Sequence, residues 1–315
     1  MNPYTQLVSI LSSPSARFYC NEAEIVSALV SVMKFIDVAH VTEEQFPSYK
    51  TQAASLFGVV NPIAQEKEIH VTTDYASQEV NPGSLAYYPI MGMILSDSRW
   101  WFSSKQFVKD LQAAEANPMV NAHFLHIKSG GGEAWYMDRV AETLQSLNKP
   151  VYSFVEKVAA SAAYYIGVHG ATIKASTQND LIGSIGTLID SLNFMPYFEK
   201  LGIERIREVA TKSDLKNKKY EDLYKGKPEQ FIREELDPLQ QQFEAAVRAA
   251  RPKLNDLPDD DPVFRGESYY ASPPAIDNKL IDGLTTFEEA LSEADTMGKE
   301  WAQLQRNRKS LMSYL

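Results

Sequence analysis

Apolar positions recur at helical spacing over residues 21–39, where Ile25, Val26, Leu29, Val30, Met33 and Ile36 fall on one face and Glu22 and Glu24 lie near the start. The spacing predicts an amphipathic helix with Asn21 as its cap. Patterning weakens over 42–81, which holds Pro47, Gly58, Pro62, a predicted strand at 68–73 and the turn Asn81-Pro82-Gly83. Residues 1–80 therefore read as an accessory or docking segment.

A stronger pattern begins with the apolar run at 85–94. A helix is predicted over 101–116, with Phe102, Phe107, Leu111 and Ala114 available for burial, and a short strand over 121–127 that ends in glycines. The next helix is expected at 133–147, with Ala134, Met137, Val140, Ala141 and Leu144 inward, followed by a strand at 150–154 and a helical run opening at Ser161. Further strands are predicted at 171–175, at 180–189 around the turn Gly183-Ser184-Ile185-Gly186, and at 203–210. A long helix over 228–250 should break or bend at Pro238, which lacks a backbone donor. A proline- and aspartate-rich link spans 251–262, a last unit at 264–294 ends in a helix from Thr286, and 296–315 reads as a polar tail. The alternation of strand, small-residue turn and helix argues an α/β fold over 81–295, with active groups at the C-terminal ends of strands.

Composition narrows the chemistry. The chain has 315 residues, 31 basic against 41 acidic, for a net charge of −10 and no long basic tract, so nucleic acid is a poor partner. The only cysteine, Cys20, excludes an internal disulfide framework and a clustered thiolate metal site. No apolar run approaches the roughly 20 residues needed to cross a bilayer. The first residues lack the basic start and continuous apolar core of a secretory signal. The expectation is a protein without stable membrane insertion, not secreted, in the cytoplasm.

Within the α/β region, residues 158–167 read V-A-A-S-A-A-Y-Y-I-G, which sets one hydroxyl, Ser161, among small apolar neighbours at a predicted helix start. Residues 127–132, I-K-S-G-G-G, run from a strand into exposed backbone amides. Serine is a weak nucleophile, so Ser161 needs a base and a means of holding the charge of an attacked carbonyl. The amides of Ala162 and Gly131 are the candidate oxyanion donors, and losing one such donor costs about 3 kcal/mol of transition-state stabilisation. The small residues around Ser161 suit tight packing equally well.

The histidines are His40, His70, His123, His126 and His169. None forms a compelling triad spacing with Ser161; His126 reads as a packed structural residue, and His169, two turns past Ser161, should face away from it. Lysine is the alternative base, and burial must then lower its ordinary value near 10.4 by several units, about 4 kcal/mol for three of them. The run T-K-S-D-L-K-N-K-K at 211–219 offers Lys212, Lys216, Lys218 and Lys219, and composition alone reads it as a solvated loop.

Taken together, these segments resemble the S49 serine peptidases, the family of signal peptide peptidase A and of phage capsid-maturation proteases. The A-A-S-A-A-Y-Y-I-G run resembles the nucleophile segment, I-K-S-G-G-G the strand and S-P-G-G turn, and L-I-G-S-I-G-T-L-I at 181–189 the G-S-I-G-V segment. Residues 264–284 with 286–291 resemble the distal segment that ends leucine-isoleucine-aspartate-glycine-leucine, so the ordered likeness covers roughly 85–295. Gly130 stands where that turn usually carries proline, which would loosen it.

The resemblance implies a Clp protease/crotonase-like α/β fold with an N-terminal accessory segment, a helical insertion at 228–250 and a C-terminal helical extension. It implies a Ser-Lys dyad that hydrolyses peptide bonds, with Ser161 as nucleophile and the base placed most naturally on Lys216; Lys212 and Lys218 stay open. Ser184 would orient the lysine or the substrate, or simply make the turn. No metal or organic cofactor is implied. The partners implied are a polypeptide substrate, further copies in a ring whose neighbours complete the dyad, and a capsid or scaffold protein in a phage prohead. The other readings are a soluble signal-peptide-peptidase-like degradative protease, an inactive assembly scaffold on the same fold, and a crotonase-like acyl-CoA enzyme.

Overall fold

The computed structural model describes residues 6, 9, 18–20, 74–190, 193 and 195–312. The helix predicted at 21–39 and the strand predicted at 68–73 lie outside them, as do His40 and His70. After β1 (Phe18–Cys20), the first long strand is β2 (Ser84–Met91), followed by the short strands β3 (Ile94–Leu95) and β4 (Phe102–Ser103). Ser103 then caps α1 (Ser104–Ala116), its hydroxyl accepting from the Gln106 amide at 3.4 Å.

Strand β5 (Val120–Ser129) leads to β6 (Gly131–Glu133) and α2 (Met137–Ser146). The helix therefore starts later than the predicted 133. Glu133 is held in β6, where its carboxylate accepts the Ser96 amide at 2.7 Å. Strand β7 (Val151–Ala160) runs into α3 (Ala162–Gly167), and β8 (Thr172–Ala175) and β9 (Leu181–Gly183) follow.

The larger sheet has the order β10-β9-β7-β5-β2, where β10 is Ser268–Tyr270, antiparallel to β9, and the other pairs on this path are parallel. Both faces are covered, as parallel sheets require. Ala86, Tyr88, Ile90, Leu125, Ile127 and Val155 pack toward α1–α3, while Leu85, Tyr87, Phe124, Tyr152 and Phe154 pack against Phe287, Ala290 and Ala294 of the last helix. Strand β7 changes partner along its length: Tyr152–Val155 pair with β8, and Val158–Ala160 pair with β9. Lys157, between the two stretches, has φ +70°. This break aims the C-terminal end of β7 at β9 and the turn beyond it.

The region after β9 departs from expectation at 203–210. No strand forms there: among the described residues these meet no neighbouring strand, and Ile203, Ile206 and Val209 are exposed, Ile206 at 83 %. Two short helices flank this stretch, α4 (Met195–Lys200) and α5 (Lys218–Tyr224). The helical path at 229–250 is not broken at Pro238. A π-helical turn over Ile232–Leu236, closed by the Asp237 amide on the Ile232 carbonyl, precedes α6 (Asp237–Ala250), so the bonding pattern changes just ahead of Pro238, the residue that lacks a donor.

After α7 (Pro274–Asp277) and β11 (Gly283–Leu284), the chain ends in α8 (Phe287–Met312), one helix of 26 residues that runs through the expected start of a tail at 296. A capping box opens it: the Glu289 amide donates to the Thr286 hydroxyl at 3.2 Å, and the Thr286 amide to the Glu289 carboxylate at 3.1 Å. Gly298 lets α8 lie on β5, since a Cβ there would sit 3.1 Å from that of Asn121. No helix among the described residues is long and apolar enough to cross a membrane.

Candidate active site

Ser161 is the single residue between β7 and α3, and its backbone is strained, with φ +56° and ψ −121° in a region that non-glycine residues rarely adopt. Three bonds hold it there. Its amide donates to the Gly183 carbonyl at 2.8 Å, its carbonyl accepts the Tyr165 amide at 2.8 Å, and its hydroxyl donates to the Gly186 carbonyl at 3.4 Å. The side chain has no exposed surface. A strained serine at a strand-to-helix turn is the geometry that presents an oxygen beside unpaired helix-start amides.

The turn opposite is fixed with equal care. Gly183 and Ser184 both have positive φ, +113° and +52°. The Ser184 amide donates to the Glu267 carbonyl at 2.8 Å, and Gln240 of α6 reaches the carbonyls of Ile185 and Phe264 at 3.3 and 2.9 Å. Gly186 passes so close to Gly266 that a Cβ would sit 3.0 Å from its Cα. The G-S-I-G segment is thus a clamped backbone against which the Ser161 turn closes.

Ala162 is the first residue of α3 and wholly buried, and its amide has no helical acceptor. Gly131 starts β6 with φ +105°, which favours glycine, but its amide donates to the Ser129 hydroxyl at 3.1 Å. Ser129 in turn donates to the Gly92 carbonyl at 2.5 Å. The structure therefore brings Gly131 into a backbone turn and leaves its donor engaged. Sequence reading missed Ser129 and the Gly186 carbonyl; the only signal was the serine immediately before three glycines.

The described histidines are committed elsewhere. His123 and His126, on opposite faces of β5, accept from the Tyr88 and Tyr87 hydroxyls at 2.9 and 2.5 Å and bond Glu115 and Glu156 at 3.1 and 3.0 Å. Burial holds both imidazoles below their ordinary value, so each donates its Nε2 proton to the carboxylate. The Nδ1 of His169 bonds the Tyr165 carbonyl at 2.8 Å, and burial pushes this ring down to about 4. None of the three bonds Ser161.

Lys216 lies far from that environment in character. It is exposed, in a turn that follows the helical turn Thr211–Ser213, with its amide on the Ser213 carbonyl at 2.9 Å and its own carbonyl accepting from Arg207 at 2.5 Å. Lys218 is bonded to Asp222 at 2.6 Å, and Lys219 is ion-paired with Glu235. Lys212 is exposed as well. No hydrogen bond joins any of these amines to Ser161 within one chain. Among the described residues no cluster of His, Cys, Asp and Glu is placed to hold a metal ion.

One further carboxylate organises the distal segment. Asp282, just before β11, accepts from the Ile173 amide at 3.0 Å, from Arg251 at 3.0 Å and from Lys253 at 2.6 Å. Burial pushes this carboxyl up, and the bonds from Arg251, Ile173 and Lys253 overrule it, holding it at about 2 against an ordinary 3.8. The leucine-isoleucine-aspartate-glycine-leucine motif is therefore structural: it ties β11 to β8 and α6.

With this geometry in place, the chain can be set beside known proteins. It is 30 % identical over 109 residues to a "Putative signal peptide peptidase SppA" of Enterococcus faecium, covering 34 % of this chain and 31 % of that one. It is 30 % identical over 140 residues to a "Putative protease" of Methanocaldococcus jannaschii, covering 44 % and 42 %. The chain thus spans between about a third and two fifths of the length of these curated relatives. An enoyl-CoA hydratase of known structure from Shewanella pealeana overlays 75 % of this chain and 80 % of its own at 11 % identity and a TM-score of 0.41. The family description "Peptidase family S49" matches residues 143–301, a span of just over half the chain that contains Ser161, Ser184 and Lys216 and leaves Gly131 outside. The chain belongs to Peptidase family S49.

Proposed function

We propose that this protein is a serine endopeptidase in which Ser161 attacks the peptide carbonyl and Lys216 of a neighbouring copy serves as base, in a degradative role akin to that of signal peptide peptidases. The observation that carries the reading is the strained, hydrogen-bonded turn that sets Ser161 directly before the unpaired amide of Ala162. Family membership and the two named relatives favour the degradative role over capsid maturation. The three-layer arrangement with a parallel sheet accords with the Clp protease/crotonase-like fold that the family implies.

In the proposed reaction the neutral Lys216 amine takes the Ser161 proton as the oxygen bonds to the carbonyl carbon. The Ala162 amide holds the oxyanion, joined by the Gly131 amide once it leaves Ser129. The protonated lysine gives its proton to the departing amine as the C–N bond breaks, and water repeats the sequence on the ester to regenerate Ser161. An exposed lysine in the single chain needs a second surface to desolvate it, and residues 197–215 supply one: Tyr197, Leu201, Ile203, Ile206 and Leu215 are all exposed there. Such an apolar surface supports association with another copy. Ser184 would fix the turn that receives the Ser161 hydroxyl.

Intact-mass measurement after exposure to a serine-reactive peptidyl probe tests the reading. Wild type should gain one adduct, while Ser161→Ala gains none and Lys216→Ala reacts far more slowly. An adduct on Ser161→Ala would refute it.

A further inference from the structure

We infer that β1 is a built-in competitor for the outer edge of β6, keeping Ser161 covered until an extended polypeptide displaces it. The inference rests on the peptidase reading above and adds its regulation. Strand β6 is held on its inner edge by β3, where Ile94 pairs with Gly132 so closely that a Cβ on Gly132 would fall 1.8 Å from the Ile94 carbonyl oxygen. Its outer edge is taken by β1, antiparallel, with Phe18 opposite Glu133, Tyr19 opposite Gly132 and Cys20 opposite Gly131. That edge begins at the glycine proposed as an oxyanion donor. Strand β1 also contacts α3, whose first residue follows Ser161, and Ser161 has no exposed surface.

Binding of this kind is carried by backbone hydrogen bonds along a strand edge, so it is open to any extended peptide whatever its side chains. The paired stretch is only three residues long, which makes it displaceable. A second hold keeps the segment near when it lets go: the Gln6 amide donates to the Asp97 carbonyl at 2.9 Å, and the Ser98 hydroxyl donates to Gln6 at 3.1 Å. A strand held nearby rebinds at high effective concentration, so it regulates access without abolishing it.

The full-length chain carrying Tyr19→Pro and Cys20→Pro tests this. In an antiparallel pair one of any two successive residues exchanges both ladder bonds, so the double change removes a ladder donor in either phase. Acylation of Ser161 by a peptidyl fluorophosphonate should become faster on the order of tenfold, and a labelled synthetic peptide of residues 14–24 added in trans should slow it again. Where the wild-type chain is acylated, an equal rate in the folded double variant overturns the inference, as does a failure of the peptide to bind that variant. A readout that needs no chemistry is hydrogen exchange on the Ser161→Ala chain. The added peptide, at concentrations where fluorescence polarisation shows it bound, should accelerate exchange at residues 18–20 and leave β5 unchanged; unaltered exchange at 18–20 overturns strand competition. Accelerated exchange together with no acylation of any chain would refute the peptidase reading and leave strand competition standing.

Discussion

The Ser161 turn and the segment that carries Lys216 both lie within the family match, and they are built in opposite ways. The turn is bonded on its amide, carbonyl and hydroxyl and is sealed between β9 and α3. The segment at 195–217 intersperses large apolar side chains with charges and buries none of its described residues: Ile206 is 83 % exposed and Leu215 72 %. A nucleophile turn can be completed by local backbone bonds and a single core. A lysine that must lose its proton needs a dry surrounding, which this chain by itself does not give Lys216. One half of the proposed site is thus finished within the chain, and the other half awaits a surface.

Variants that separate the halves should show the largest effects. Ser161→Ala should abolish probe labelling and peptide cleavage, and Lys216→Ala should lower turnover by about 10² to 10⁴, the usual range for loss of a positioned base. Mixing the two inactive chains and letting them co-assemble sharpens the point. If neighbouring copies complete the site, cleavage should return to roughly a quarter of wild type by random assortment around a heterologous interface; no recovery would place both groups in one chain and break the contrast.

Substitutions confined to the finished half come next. Gly132→Ala should destabilise the fold by about 3 kcal/mol or more in urea unfolding, because its Cβ would meet backbone rather than a yielding side chain. Asp282→Asn should cost about 2 kcal/mol near neutral pH. The sign follows from its depressed acidity: with a folded value of about 2 against 3.8, the contribution is complete above 3.8 and is lost as pH falls toward 2. The wild-type chain should therefore weaken across that window more steeply than Asp282→Asn, a difference readable by thermal unfolding at successive pH values.

The smallest stability effect is expected in the unfinished half. Ile206→Asp should shift folding stability by no more than about 0.5 kcal/mol, since the side chain touches little. It should nonetheless reduce self-association in analytical ultracentrifugation. Unchanged assembly would deny the 197–215 surface its proposed role.

Much of this was legible from residue order. The strand, small-residue turn and helix around Ser161 follow from β-branched and aromatic runs that end in Ala159-Ala160-Ser161-Ala162. The capping box at Thr286 and Glu289 is likewise written in local spacing. Expectation failed where the outcome depends on distant contacts. Residues 203–210 have strand-like composition and no strand to pair with among the described residues. Pro238 suggested a break or bend, and the helical path instead runs on through it after a π-helical turn over Ile232–Leu236. Residues 298–312, polar on their own, continue a helix because its earlier half docks on β5.

Periodicity and small-residue turns thus determined by themselves that the chain is α/β and that Ser161 stands at a strand-to-helix junction, because those features depend on bonds between near neighbours in sequence. Only the tertiary structure decided that the Gly131 amide is engaged by Ser129, that β1 occupies the edge of β6, and that Lys216 remains exposed. Each of those outcomes turns on which distant backbone or surface arrives to satisfy a donor, an edge or a charge, and spacing along one chain carries no record of that.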